Sequence, residues 1–120
     1  MMDVGLKRAY DPSAAADGYR VLIDRIWPRG VTREDAHLDE WARDLAPSGE
    51  LRRWFGHDPA RFEEFRRRYS GELAAQQGKL RELRRRARGG TLTLVYGARD
   101  TEHNDAVVLA EILRRGRRSS

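Results

Sequence analysis

The chain has no cysteine, only four prolines, two methionines and three histidines in 120 residues, and it contains no long apolar run. Without cysteine there is no disulfide framework, no thiolate ligand for a metal and no thiol nucleophile. No stretch approaches the eighteen apolar residues a membrane-spanning helix needs, and no charged, apolar, small-residue leader opens the chain, so the expectation is a cytoplasmic protein without membrane contact. His37, His57 and His103 lack metal-ligand spacing, so no metal is assigned and no cofactor is indicated. A glycine-rich phosphate loop, a serine-nucleophile elbow and a paired-histidine metalloprotease motif are all missing.

At 120 residues the length predicts one domain, residues 1–120, with a basic, frayed tail from about 114 to 120. Hydrophobic residues make up 39% and charged residues 36%, and the apolar ones fall in periodic segments, which favours a folded core over disorder. The net charge is +5, and 22 of the 24 basic residues are arginine. Residues 59–90 hold ten basic and four acidic side chains, so the positive excess lies in this one segment. A second cluster, Arg114, Arg115, Arg117 and Arg118, closes the chain. Such arginines meet phosphate or simply keep a helix face solvated, and the sequence leaves both open.

Val4, Leu6 and Tyr10 predict a first strand, followed by a loop or short helix from Asp11 to Gly18. Tyr19 to Arg25 is a near-continuous apolar run ahead of Pro28, the pattern of a central strand buried on both faces. Ile26 to Arg33 reads as a structured loop shaped by Pro28 and Gly30. Leu38, Trp41, Ala42 and Leu45 follow helical spacing and predict a short helix over 39–45. Ser48 caps a second short helix through Leu51, Trp54 and Phe55, stopped by Gly56. Asp58-Pro59 opens a long helix, whose stripe from Phe62 to Ala87 runs about eight turns with a bend near Gly71 or Gly78. Thr91 to Tyr96 is the clearest strand. Asp100 or Thr101 then caps a final helix with Val108, Leu109, Ile112 and Leu113 on its core face. Helices between strands predict an α/β domain of three layers, with a small, mostly parallel sheet flanked by helices.

In such sheets ligands bind beyond the carboxyl ends of the strands. Two polar segments occupy that position, Asp24 to Gly30 and Tyr96 to Asn104, and they face each other if their strands are neighbours. Arg25, Arg29 and Arg99 are candidate anion clamps, and Trp27, Tyr96 and Asn104 candidate contacts. Asp24 and His103 are the candidate proton-handling groups, with His103 expected in the first turn of the last helix, where the helix dipole disfavours its protonation. Structural roles compete for several of these: an Asp24–Arg25 pair pinning the loop, Trp27 in the packing, Asn104 assisting the cap. His57 beside Asp58 reads as a turn residue, since Asp58 is already engaged in capping.

Three blocks carry a resemblance. Val21-Leu22-Ile23-Asp24-Arg25-Ile26-Trp27-Pro28-Arg29-Gly30 is the first, and Leu51-Arg52-Arg53-Trp54-Phe55-Gly56-His57-Asp58-Pro59 with Phe65 to Tyr69 the second. Tyr96 through His103-Asn104 with Ala106 to Leu109 is the third. Together they resemble the YeaO-like branch of domain-of-unknown-function family 488 over about residues 4–113. The resemblance implies a small α/β domain with a central sheet and supplies no activity. Longer relatives in that family carry an Asp-Val-Arg…Pro-Arg element matched here by Asp24, Arg25, Pro28 and Arg29. They also carry cysteines near the equivalent of Tyr96 to Asn104; none is present in this chain, so thiol chemistry does not transfer.

The residues therefore support a pocket for a small anion, a phosphate or nucleotide, with catalysis open. The alternative is a nucleic-acid module using the arginines of 66–88 and 114–118. A third reading is an interaction surface built on Trp27, Trp41 or Trp54. Ligand, reaction and oligomeric state are not fixed by the sequence.

Overall fold

A computed structural model describes residues 3–87 and 89–116. Four parallel strands, β1 (Asp3–Arg8), β2 (Tyr19–Leu22), β3 (Glu40–Trp41) and β4 (Thr91–Tyr96), form one sheet in the order β1-β4-β2-β3. The last strand in sequence thus lies between the first two. Leu92 and Leu94 pair in register with Val4 and Leu6 on one side and with Tyr19 and Val21 on the other. The β-branched and apolar run of Thr91 to Tyr96 suits this interior place, being buried from Leu92 onward. Gly18 opens β2 with φ 64°, and a Cβ there would sit 2.3 Å from the Thr91 carbonyl oxygen, so only glycine fits.

Five α-helices surround the sheet: α1 (Arg33–Ala36), α2 (Gly49–Phe55), α3 (Phe62–Ala74), α4 (Gln77–Ala87) and α5 (Asp105–Gly116). The apolar residues of α2 through α5 merge with Val4, Val21, Ile23, Leu92, Leu94 and Tyr96 into the main core on one face. The opposite face is thinner. There Ala9, Leu22 and Val95 are covered by Trp27, Val31, Leu38 and Trp41. A 3-10 turn at Ala15–Asp17 and helix α1 close that side around Arg20, which is 4% exposed. Arg20 reaches Asp17 Oδ2 at 2.6 Å and the Ala36 and His37 carbonyls at 2.8 and 3.1 Å. Asp17 is also bridged by Lys7 at 3.0 Å. Burial pushes its carboxyl upward, but the Ala14 amide and the Lys7 and Arg20 bonds together hold it below the ordinary value.

Three sequence expectations need correction. The helix predicted over 39–45 is instead β3 followed by a 3-10 turn at Arg43–Leu45. The amides of Asp39 and Ala42 donate to the Arg20 and Leu22 carbonyls at 2.9 and 2.8 Å, so the open edge of β2 captures the segment despite its helical spacing. The single eight-turn helix is two helices, broken at Ala75 and Gln76, where the amides bond three residues back to Glu72 and Leu73. The break falls between the two glycines and at neither, and beyond it Leu80 and Leu83 enter the core. The final helix starts at Asp105 and not after Asp100. Ser48 accepts from the Leu51 amide and Gly56 closes α2 in the left-handed region, as read, whereas Asp58, which accepts from the Ala60 amide, caps a 3-10 turn at Pro59–Arg61 that leads into α3 at Phe62. The expected basic tail lies partly outside the described residues.

Candidate functional site at the carboxyl ends of the strands

Because β2 pairs with β4, the segments that follow them meet. The Gly97 amide donates to Asp24 Oδ2 at 2.7 Å, joining the two loops directly. A Cβ on residue 97 would stand 3.1 Å from that oxygen, so glycine permits the approach. Asp24 is held from a third direction as well, since the indole nitrogen of Trp41 donates to its main-chain carbonyl at 2.7 Å. The short strand β3 thereby fixes the backbone at the exit of β2.

A cavity of about 260 Å³ opens at this edge. Asp24, Arg25, Pro28 and Arg29 line it from the first loop, Gly97, Ala98 and Asn104 from the second, and Asp105 from the start of α5. Helices α2 and α3 supply Arg52, Phe55 and Phe65, whose two phenyl rings stack with centroids 4.3 Å apart. His57 and Tyr10 complete the wall. Asp105 was not among the sequence candidates, nor were Arg52 and His57 as pocket residues. Asp105 looks like an ordinary acidic first-turn residue, and only the position of α5 against the end of β2 turns its carboxyl toward Asp24.

Asp24 and Asp105 line the same cavity as neighbouring carboxyls whose charges act on each other. Burial raises Asp24 above the ordinary carboxylate value, against the Gly97 amide and the charges of His57 and Arg52, which pull it down. Asp105 is raised well above that value by burial and then by the charge of Asp24. The pair therefore retains a proton at a pH where isolated carboxylates have lost theirs. The Ala106 amide donates to Asp105 Oδ1 at 2.9 Å and fixes that carboxyl.

Of the other sequence candidates, Arg25 and Arg29 are exposed at the cavity mouth. Arg25 reaches only the Pro47 carbonyl, at 3.4 Å, while the Arg29 carbonyl accepts from the Tyr10 hydroxyl at 3.0 Å and its guanidinium makes no hydrogen bond among the described residues. Asn104 lines the cavity, but its amide serves the fold. Oδ1 accepts from the Val107 amide at 3.0 Å and Nδ2 donates to the Asp100 carbonyl at 2.8 Å, so Asn104 is the residue that caps α5. Trp27, Tyr96, Arg99 and His103 are not part of the cavity wall. Trp27 donates to the Val31 carbonyl at 2.6 Å and packs edge-on against Trp41, stapling its loop to the thinner face. Tyr96 is buried in β4, and Arg99 is exposed outside the cavity.

His103 precedes α5 and is not in its first turn. Asp100 accepts from the amides of Glu102 and His103, at 2.9 and 3.0 Å, and from the His103 ring at 2.9 Å. That ring stands edge-on to Phe62. These bonds, the Glu102 amide foremost, hold the Asp100 carboxyl below its ordinary value. His57 carries φ 57°, directly after Gly56 at φ 54°. A non-glycine residue in the left-handed region is uncommon, and here it brings an imidazole to the cavity wall.

Of the arginines on α3 and α4, Arg81, Arg84 and Arg85 form no salt bridge among the described residues, while the other four are paired. Arg66 bonds Glu63 and Glu111, Arg67 and Arg68 bond Glu64, and Arg86 bonds Glu82. The three tryptophans are half-buried, with Arg33 over Trp27, Arg43 over Trp41, and Arg61 and Arg68 over Trp54. Among the described residues no group of side chains is arranged to hold a metal ion, and no helix is long and apolar enough to cross a membrane.

The fold and cleft define a small parallel α/β protein whose carboxyl-end cavity joins a carboxyl pair to three arginines. The chain belongs to the family described as the inactive DUF488-N3 subclade, which it matches over residues 3–119. It is 43% identical over 113 residues to the uncharacterized protein YeaO of Escherichia coli K12, covering 94% of this chain and 98% of that one. It is 42% identical over 110 residues to the uncharacterized proteins Mb3100c of Mycobacterium bovis and Rv3073c of Mycobacterium tuberculosis H37Rv, covering 92% of each chain. No solved structure matches it at a comparable level of significance.

Proposed function

We propose that the protein binds a small anionic metabolite, a phosphate or a nucleotide, in the cavity at the carboxyl ends of β2 and β4. The observation that carries this reading is the convergence of Arg25, Arg29 and Arg52 on one cavity mouth. Among the described residues none of the three pairs with a carboxylate at salt-bridge distance, whereas the arginines of α3 are engaged by glutamates. Guanidinium groups near one opening with no carboxylate at salt-bridge distance favour an anion there, and their planar forks suit phosphate or carboxylate oxygens. The description of the subclade as inactive favours binding over turnover.

The test is titration of the full chain with inorganic phosphate and with nucleoside monophosphates, for the natural sequence and for Arg29→Ala. Loss of one charge-assisted contact of about 1.5–3 kcal/mol weakens affinity roughly 10- to 150-fold. Because the Arg29 guanidinium supports no internal contact among the described residues, thermal stability stays unchanged. Equal affinity in the variant refutes the reading.

A further inference from the structure

The cavity is graded in chemistry from its inner end to its mouth. Asp24 and Asp105 are half-buried, Arg25, Arg29 and Arg52 are exposed, and Pro28, Phe55 and Phe65 are buried apolar wall of the same cavity. A bare phosphate would use the arginines alone, and a carboxyl pair set behind them would only repel it. The inner end therefore suits a second, different part of the ligand.

On each carboxyl the fold occupies some acceptor positions and leaves others. Gly97 takes one on Asp24 Oδ2 and Ala106 takes one on Asp105 Oδ1. Two carboxyl groups have more lone-pair positions than these. The two carboxyls present acceptor oxygens to the cavity. Acceptors complement the N–H donors of an exocyclic amino group on a ring, the way acidic side chains read amino groups of bases. Flat apolar walls suit such a ring.

Resting on the anion-pocket reading, we infer that Asp24 and Asp105 read the base of a nucleotide: an amino-substituted ring sits on the carboxyl pair while its phosphate lies against Arg25, Arg29 and Arg52. The carboxyl pair sets specificity and the arginines supply most of the attraction. Asp24 is the more sensitive position, because it is tied to both loops through Gly97 and Trp41.

The experiment is calorimetric titration of the full chain with adenosine monophosphate, cytidine monophosphate, ribose 5-phosphate and inorganic phosphate, repeated with Asp24→Asn. At least one of the two nucleotides binds about tenfold or more tighter than ribose 5-phosphate, the scale of one paired base edge. Asp24→Asn removes most of that advantage and leaves ribose 5-phosphate binding within about twofold. If Asp24→Asn does not fold by circular dichroism, Asp105→Ala carries the same test with the same expected loss. Nucleotides binding no better than ribose 5-phosphate, or a variant that weakens all four ligands alike, overturns this inference and leaves the anion pocket standing. Binding by none of the four overturns both.

Discussion

Replacing Trp41 with phenylalanine tests whether the two-residue strand β3 holds the site. In the native protein the Trp41 indole donates to the Asp24 carbonyl at 2.7 Å, stands edge-on to Trp27 with centroids 5.2 Å apart, and lies under the Arg43 guanidinium at 3.7 Å. Phenylalanine keeps a ring but has no N–H, so the Asp24 carbonyl loses its partner at a half-buried position, at a cost of about 1–2 kcal/mol. Weaker aromatic and cation contacts add about 0.5–1 kcal/mol. The sum, about 2 kcal/mol, lowers Tm by roughly 8 °C for a domain of this length. Urea denaturation reads it as a lower midpoint at constant slope. Trp27→Phe is the matched control: it also removes one indole bond, to Val31, but none to Asp24. Both variants lose stability, and only Trp41→Phe weakens anion binding. If the two lose affinity equally, or if Trp41→Phe has the natural midpoint, β3 does not position Asp24 and the account of the site is wrong.

The pH dependence of stability follows from the two classes of carboxyl. Asp24 and Asp105 are raised in the folded protein, so their contribution is complete below the ordinary value of 3.8 and is lost as pH rises through their raised values. Asp17 and Asp100 are lowered, so theirs is present above 3.8 and lost as pH falls through their lowered values. Asp105→Asn, which cannot ionise, should therefore stabilise the protein more at about pH 8 than at about pH 5; equal urea midpoint shifts at both would contradict the carboxyl-pair assignment. Arg20→Leu should cost about 3 kcal/mol by chemical denaturation, because it strips a buried donor from Asp17 and from the Ala36 and His37 carbonyls. A change below about 0.5 kcal/mol would mean this network does not stabilise the thinner face.

Much of the architecture is legible in the residues, where a local rule agrees with the tertiary environment. The β-branched run Thr91 to Tyr96 is a strand because every residue after the first is buried between two neighbours. Ser48, Gly56 and Asp58 act as caps because capping is settled within a single turn of chain. The segment 39–45 defeats the same approach: its helical spacing is real, but the carbonyls of Arg20 and Leu22 outbid it, and these lie about twenty residues away. At the site, Asp24, Arg25 and Arg29 are recognisable because they end an apolar strand beside proline and glycine. Asp105, Arg52 and His57 carry no such mark, since each takes its place only through the packing of α5, α2 or a left-handed turn.

The sequence by itself determined the class of fold, the principal strands, the caps of α2 and the absence of thiol chemistry, since these follow from residue type and short-range periodicity. Only the tertiary structure decided that β4 lies beside β2, so that Gly97 meets Asp24 and α5 delivers Asp105 to the same place. Strand order is set by long-range burial, and the upward shift of the two carboxyls arises only once burial and proximity act together.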